Sequence, residues 1–489
     1  MPVAPLRSPN SIRDAAGGPV ALIVSASMGA GHDAAARELR DRLVSTGFTV
    51  EIRDYLSALR WPLGGFLRTV YGLLLHVRPQ LYERLYWALE RRPLVRRVAF
   101  ALAGVARPAL RRWLRGCDAD VVVSTYPLAS QALGRLRAQG QLPVPLVTYL
   151  TDFSVNRCWV HPAVDLHLAS SDATAAQARL RGARDVAVAG PVVPSRFRPA
   201  ARSGKNRAGL RAAWGLAADA RVAVLVAGSW GVGEVEPTVD DVLAAARSNG
   251  NSAEGDSAGT DSAGTDSAGT DNVEAALVPV VLCGRNEALR RRLAARPGVV
   301  ALGWTDRMPE ILGAADVLIQ NAGGMSCMEA FAVGLPVVSY RCLPGHGQHN
   351  ASTMAAAGVA PHARNARELA VLLRALLEDG GAATTAAGTA SALFVDEPTR
   401  AIVALATAPG RLLPTRRSLT RRSSTRRSPG TPRAGAFLTW TALVLTLVGA
   451  GATGLVGATD RDDLHVVAHG TATARAHVVS LLTHQVADR

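Results

Sequence analysis

The sequence predicts an α/β protein of two similar parallel-sheet domains facing a cleft. Three observations predict it: short apolar runs alternate with helical stretches from Val20 onward, glycine-rich turns follow several runs, and a proline-rich segment at 190–199 divides the series in two. The first run, 20–24, leads through a small-residue loop, 25–32, into a helix over 33–45 and a second strand over 48–53, a βαβ opening. Further strands are predicted at 119–124, 144–150, 164–169 and 186–188, interleaved with helices, as in a parallel sheet covered on both faces. Past the prolines a second series has strands at 221–226, 278–282, 299–302, 317–320 and 336–339. The expected partition is a flexible start at 1–19, a first domain over 20–199 and a second over 200–408. Three copies of Asp-Ser-Ala-Gly-Thr from Asp256 mark 248–272 as a disordered insertion, because small polar residues bury too little surface to order themselves.

The 489 residues carry a formal charge of +15, and two windows account for all of it. Residues 60–115 hold 12 Arg against Glu83 and Glu90, and 411–433 hold 8 Arg with no acid. A polycation that coats nucleic acid is thereby excluded. Five scattered cysteines without a CxxC pair signal neither a disulfide framework nor a zinc site. Residues 1–18 contain no apolar signal-peptide run, so the catalytic body is expected in the cytoplasm. Residues 409–433 read as a basic linker and 434–459, without a charge, as a transmembrane helix, with a buried core helix as the alternative. Arginines before the span and Asp460, Asp462 and Asp463 after it place the body in the cytoplasm and 460–489 outside. Segment 61–115 mixes arginines with Trp61, Phe66, Tyr71, Tyr82, Tyr86, Trp87, Phe100 and Trp113. That composition suits docking on an anionic membrane surface, the alternative being an ordinary helical pair packed on the first sheet.

The motifs point to a phosphate-bearing ligand. Ser25-Ala-Ser-Met-Gly-Ala-Gly-His32 joins the first strand to the first helix, where backbone N–H groups and the helix dipole favour negative charge. It lacks a third glycine and a Walker lysine, which disfavours a dinucleotide or ATP. His32 can move a proton or bind an acceptor oxygen, or it can simply cap the turn. In the second half, Gly323 and Gly324 let the backbone approach a diphosphate, Met325 and Ser326 offer N–H groups to its charge, and Glu329 can accept from ribose hydroxyls. Pro344-Gly-His-Gly-Gln-His-Asn350 gathers polar side chains suited to sugar hydroxyls, and Gly228-Ser-Trp-Gly-Val-Gly233 is a further glycine loop at a strand's C-terminal end.

Together with Thr151-Asp-Phe-Ser-Val-Asn-Arg-Cys-Trp-Val-His-Pro162, Cys283-Gly-Arg-Asn286 and Gly303-Trp-Thr-Asp-Arg-Met308, these motifs resemble glycosyltransferase family 28, in the first half its monogalactosyldiacylglycerol synthase branch. The resemblance spans roughly residues 20 to 380. It implies the GT-B fold of two Rossmann-like domains, a UDP-sugar in the C-terminal one, a lipid acceptor, diacylglycerol first among candidates, at the N-terminal one, and inversion without a metal or other cofactor. On this chain it implies Asp152 as the base, with His32 as second candidate. The donor would be held by Gly228, Ser229, Gly231, Arg285, Thr305, Met308, Gly323, Gly324, Met325, Ser326, Glu329, His346, Gln348 and Asn350. The acceptor and membrane side would comprise Gly29, Gly31, Trp61, Phe66, Tyr71, Trp87 and His161. Three departures stand out: Asn156 where relatives carry His, Asn321 where many carry Lys or Arg, and the 344–350 loop where relatives read Pro-Gly-Gln-Glu-Glu-Gly-Asn. A polyprenyl-linked acceptor, and a sugar-nucleotide sensor without chemistry, are the competing readings.

Overall fold

The computed structural model describes residues 17–197, 204–251, 277–378, 380–394 and 396–408. The expectations for the linker around 200, for most of the insertion and for 409–489, including the span at 434–459, fall outside the described residues. Among the described residues, no helix is long and apolar enough to cross a membrane.

The N-terminal domain runs β1 (Val20–Ser25), α1 (Ala30–Ser45), β2 (Thr49–Asp54), α2 (Tyr55–Ala58), α3 (Leu63–Val77), α4 (Pro79–Arg91), α5 (Pro93–Ala103), α6 (Arg107–Cys117), β3 (Val121–Ser124), α7 (Pro127–Ala138), β4 (Leu146–Tyr149), β5 (Leu166–Ala169), α8 (Asp172–Leu180) and β6 (Val186–Val188). The C-terminal domain runs α9 (Gly204–Ala213), β7 (Arg221–Val226), α10 (Val235–Asn251), β8 (Leu277–Leu282), α11 (Glu287–Ala294), β9 (Val300–Leu302), α12 (Met308–Ala314), β10 (Val317–Gln320), α13 (Met325–Ala332), β11 (Val337–Tyr340), α14 (His346–Ala356), β12 (His362–Ala363), α15 (Ala366–Glu378) and α16 (Gly380–Ser391), followed by α17 (Pro398–Thr407). Helix α10 continues to Asn251, so the predicted insertion begins later than residue 248.

Both sheets are parallel, ordered β2-β1-β3-β4-β5-β6 and β12-β11-β10-β7-β8-β9. The apolar strands are buried on both faces. In β1, Leu22 and Val24 enter one core with Tyr126 and Leu133, while Ala21 and Ile23 enter another with Leu39 and Val123. Successive strand side chains point to opposite faces, so an unbroken apolar run supplies two cores at once. In each sheet the order reverses beside the first strand, between β1 and β3 and between β7 and β10, which opens a crevice at the strands' C-terminal ends.

Two features tie the domains together. Phe153, in the loop after β4, is fully buried in the C-terminal core with Met328, Phe331 and Met354. Helix α17 returns to the N-terminal domain, where Ile402 is buried with Ile23, Leu39 and Val121, and where Arg42 bonds both Glu397 and the Val193 carbonyl. The last helix thus belongs to the first domain's core, although the expected partition gave it to the second.

Candidate active site

The loops at both switch points meet across the cleft. On the N-terminal side, Asp33 accepts from Ser25 Oγ at 2.7 Å and Ser27 Oγ at 3.2 Å, while Asp54 caps α2 and takes the Ser27 N–H. The glycine loop is therefore braced by carboxylates from its own side, and α1 starts at Gly29 with no side-chain cap. On the other side α13 starts at Gly324, also uncapped. A Cβ at Gly31 would lie 3.8 Å from that of Met325, so the two helix starts are neighbours. Uncapped starts leave N–H groups free for an anion and add the favourable end of each dipole.

Gln320, which sequence reasoning missed, shapes the turn into α13. Its Oε1 accepts from the N–H groups of Ala322 and Gly323, and its Nε2 donates to Ser339 Oγ at 2.6 Å. Gly323 has φ 70°, and a Cβ there would strike Asn350. The Gly323 N–H expected at a diphosphate is spent on Gln320, which leaves Gly324, Met325 and Ser326 to offer theirs. Glu329 sits one turn further in, where burial raises its pKa to about 7 against the pull of Arg196.

His32 and Asp152 come together at the ends of β1 and β4. Thr151 Oγ1 lies 2.9 Å from His32 Nδ1, and the Tyr126 and Trp159 rings lie 5.3 and 5.9 Å from the imidazole. Burial lowers the His32 pKa, while Asp152, the Thr125 carbonyl and Asp33 pull it upward. The buried Trp159 donates Nε1–H to Asp152 Oδ2 at 2.9 Å. His346 faces the same carboxylate from the C-terminal domain: burial lowers its pKa, Asp152 raises it and His32 lowers it further. One carboxylate thus stands near two imidazoles held neutral by burial, one from each domain.

A cavity of about 890 Å³ opens beside this cluster, lined by Gly29, Arg37, Arg68 and His76 on one side and Ser229, Trp230, Arg285 and Trp304 on the other. Arg285 stacks on Trp304 with its guanidinium carbon 4.7 Å from the ring centroid. Neither Asp152 nor Glu329 lines this cavity. Gly228 and Gly231 have positive φ, and a Cβ at Gly231 would strike the Cys283 carbonyl, so this glycine locks two loops together.

Several expected ligand contacts are occupied by protein. Asn350 is fully buried; its Oδ1 accepts from Ser154 N and Oγ, both at 2.8 Å, and its Nδ2 donates to the Ala322 carbonyl. It fastens one domain to the other from a fully buried position, which removes it from reach of a hexose. Thr305 Oγ1 accepts from the Arg307 N–H, Met308 leans on the core, and Gln348 is exposed. His161 packs against Gly134 and accepts the Ala163 N–H, so it holds its own turn, as Asn156 does by accepting from Cys158. Asn321 Nδ2 donates to the Val232 carbonyl, and its buried Oδ1 has no partner among the described residues.

The expected membrane segment is a helical arm, α3 to α6, and only part of it faces outward. Trp61 is 80% exposed and Leu94 72%, Phe66 and Val77 are exposed on α3, and the exposed Leu73 lines the cavity. Tyr71 instead turns inward to Trp230, ring centroids 5.8 Å apart, and Trp87 packs between Tyr86 and His349 under Arg91.

Two family models match. Residues 32–193 match monogalactosyldiacylglycerol (MGDG) synthase, and residues 271–379 match glycosyl transferases group 1. Both halves are glycosyltransferase domains. This glycosyltransferase is similar to the processive diacylglycerol beta-glucosyltransferase of Bacillus mycoides strain KBAB4, 24% identical over 370 residues that cover 74% of this chain and 86% of that one. Its counterpart in Bacillus cereus strain ATCC 14579 is 23% identical over 394 residues, covering 79% and 92%. Among solved structures, Acinetobacter baumannii MurG has a TM-score of 0.47 at 15% identity, over 79% of this chain and 99% of that one. Among the described residues, no group of three or more His, Cys, Asp or Glu is gathered to hold a metal.

Proposed function

We propose that this glycosyltransferase moves a hexose from a UDP-sugar to a lipid hydroxyl, diacylglycerol first among acceptors, with inversion at the anomeric carbon and no resident metal. The observation that carries the reading is the meeting of the uncapped α1 and α13 starts beside the Asp152 and His32 pair. Asp152 takes the acceptor's proton on Oδ1, which no described residue occupies, while Trp159 holds Oδ2. His32 is the second candidate for the same step. The acceptor oxygen then bonds the anomeric carbon as the bond to the diphosphate oxygen breaks. The N–H groups of Gly324, Met325 and Ser326 take the charge of the leaving diphosphate, and Glu329 accepts from ribose hydroxyls. The cavity with Arg37, Arg68 and Arg285 gives the nucleotide a cationic surround.

The arm supplies the lipid surface contact. Its exposed Val77 and Leu94 lie close in sequence to Arg78, Arg84, Arg91, Arg92 and Arg97, a pairing of apolar and cationic groups that fits anionic headgroups. In this reading residues 434–459 add a single span with both domains on the cytoplasmic side. Deleting 411–489 then abolishes carbonate-resistant attachment and leaves UDP binding intact; a truncated chain that still resists carbonate rules the span out.

The test is radiolabel transfer from a panel of UDP-hexoses into lipids of anionic liposomes, with Asp152→Asn as control. A labelled glycolipid lost in the variant supports the reading and names sugar and acceptor. UDP binding without any lipid product across the panel points to a sensor instead.

A further inference from the structure

Helix α14 stands between the arm and the turn that opens α13, against the Tyr86 side chain at Gly345 and the Asn321 backbone at Gly347. A Cβ at Gly345 would lie 3.0 Å from Tyr86 Cβ, and one at Gly347 would lie 2.8 Å from the Asn321 carbonyl oxygen. One face of the helix, His346, His349, Asn350 and Thr353, repeats at the i, i+3, i+4, i+7 spacing. Every member of that face bonds the N-terminal domain. Tyr82 Oη lies 2.9 Å from His346 Nδ1, Tyr86 Oη lies 2.9 Å from His349 Nδ1, Ser154 donates to Asn350, and Gln177 Nε2 donates to Thr353 Oγ1 at 2.9 Å. Helix α3 of the arm reaches the second glycine loop, since a Cβ at Gly72 would lie 3.2 Å from the Trp230 ring.

We propose that Tyr82 and Tyr86 are positioning residues for the donor. When each phenol donates to Nδ1, the imidazole keeps its proton on Nε2 and its ring is fixed. Burial lowers the pKa of both histidines, which keeps them able to accept. The two bonds set where α14 rests against the turn at 321–324, and through the Asn350 bond to Ala322 they set the N–H groups that receive the diphosphate. The arm that meets lipid thereby governs how tightly the other domain holds its nucleotide. The inference rests on the reading of that turn as the UDP site.

A double-mutant cycle on UDP affinity tests it, by calorimetric titration of UDP onto the full chain. Tyr82→Phe and His346→Ala each weaken UDP by about fivefold, and the double variant is no weaker than the worse single, which is the signature of coupling. Tyr86→Phe weakens UDP likewise, while vesicle flotation stays unchanged in both phenylalanine variants. His346→Gln, whose amide oxygen can accept from Tyr82, retains most of the affinity and stands in should the alanine variant misfold. Additive effects in the cycle, or unchanged UDP affinity in both phenylalanine variants, overturn the inference while the UDP-site reading survives. A native chain that binds no UDP removes that reading and the inference with it.

Discussion

Glu329 is a buried carboxyl whose proposed task needs charge. Burial raises its pKa to about 7, so the folded chain favours the protonated form between its ordinary 4.5 and 7. Two consequences follow from the sign. UDP affinity falls as pH drops from 8 to 6, and Glu329→Gln flattens that dependence at a lower affinity; titration at three pH values reads both. The same group withdraws stability as pH rises from 4.5 to 7, so Glu329→Gln melts at a higher temperature than the native chain at pH 8. For Asp152→Asn we expect transfer to fall by about 10²-fold or more with UDP affinity unchanged; equal rates would remove Asp152 as the base. His32 and Glu329 were legible because each lies within a few positions of a glycine turn, and Asp152 because it stands in the Thr151-Asp-Phe motif on which the resemblance rests. Gln320 was not, because its role appears only when the turn folds back over the end of β10. Asn350 looked like a sugar ligand from its polar neighbours, and only the docking of Ser154 against it shows that its amide is spent.

At the scale of elements, α14 and the arm carry most of what the sequence left open. Asn350→Ala removes three hydrogen bonds and leaves Ser154 buried without a partner, at a cost of about 2 kcal/mol; urea unfolding checks it, and a loss below about 0.5 kcal/mol would deny the clasp its strength. The strands and their order of appearance were readable because each is an unbroken apolar run closed by a turn residue. The two-residue β12 carries too few side chains to show a period. In α3 the apolar residues are spread around the helix, Tyr71 and Leu75 turned inward, Leu73 lining the cavity and Phe66 and Val77 exposed. Hydropathy therefore marks the helix without saying which face protein covers. Val77→Asp with Leu94→Asp should reduce flotation on anionic vesicles severalfold and leave UDP affinity alone, since both side chains are exposed and neither lines the cavity.

For the whole molecule, acid sensitivity has an identifiable source. His167, on β5, is fully buried with neither ring nitrogen bonded among the described residues, and burial lowers its pKa to about 4, with Asp185 pulling upward and His161 downward. His161 is lowered to about 4 as well, by burial and then Arg135. Both folded-state values lie below the ordinary 6.5, so the unfolded chain binds more protons and stability drains away as pH falls from 6.5 to 4. His167→Leu should flatten that slope in thermal melts; an unchanged slope would place the sensitivity elsewhere. The return of α17 bears on anyone recombining such chains. Because Ile402 completes the core around Ile23 and Leu39, the N-terminal domain is discontinuous in sequence. A chimaera cut once, in the proline-rich linker, would close the recipient's first domain with a foreign helix. Two crossovers are required, the second before Glu397, so that the closing helix travels with the domain it completes.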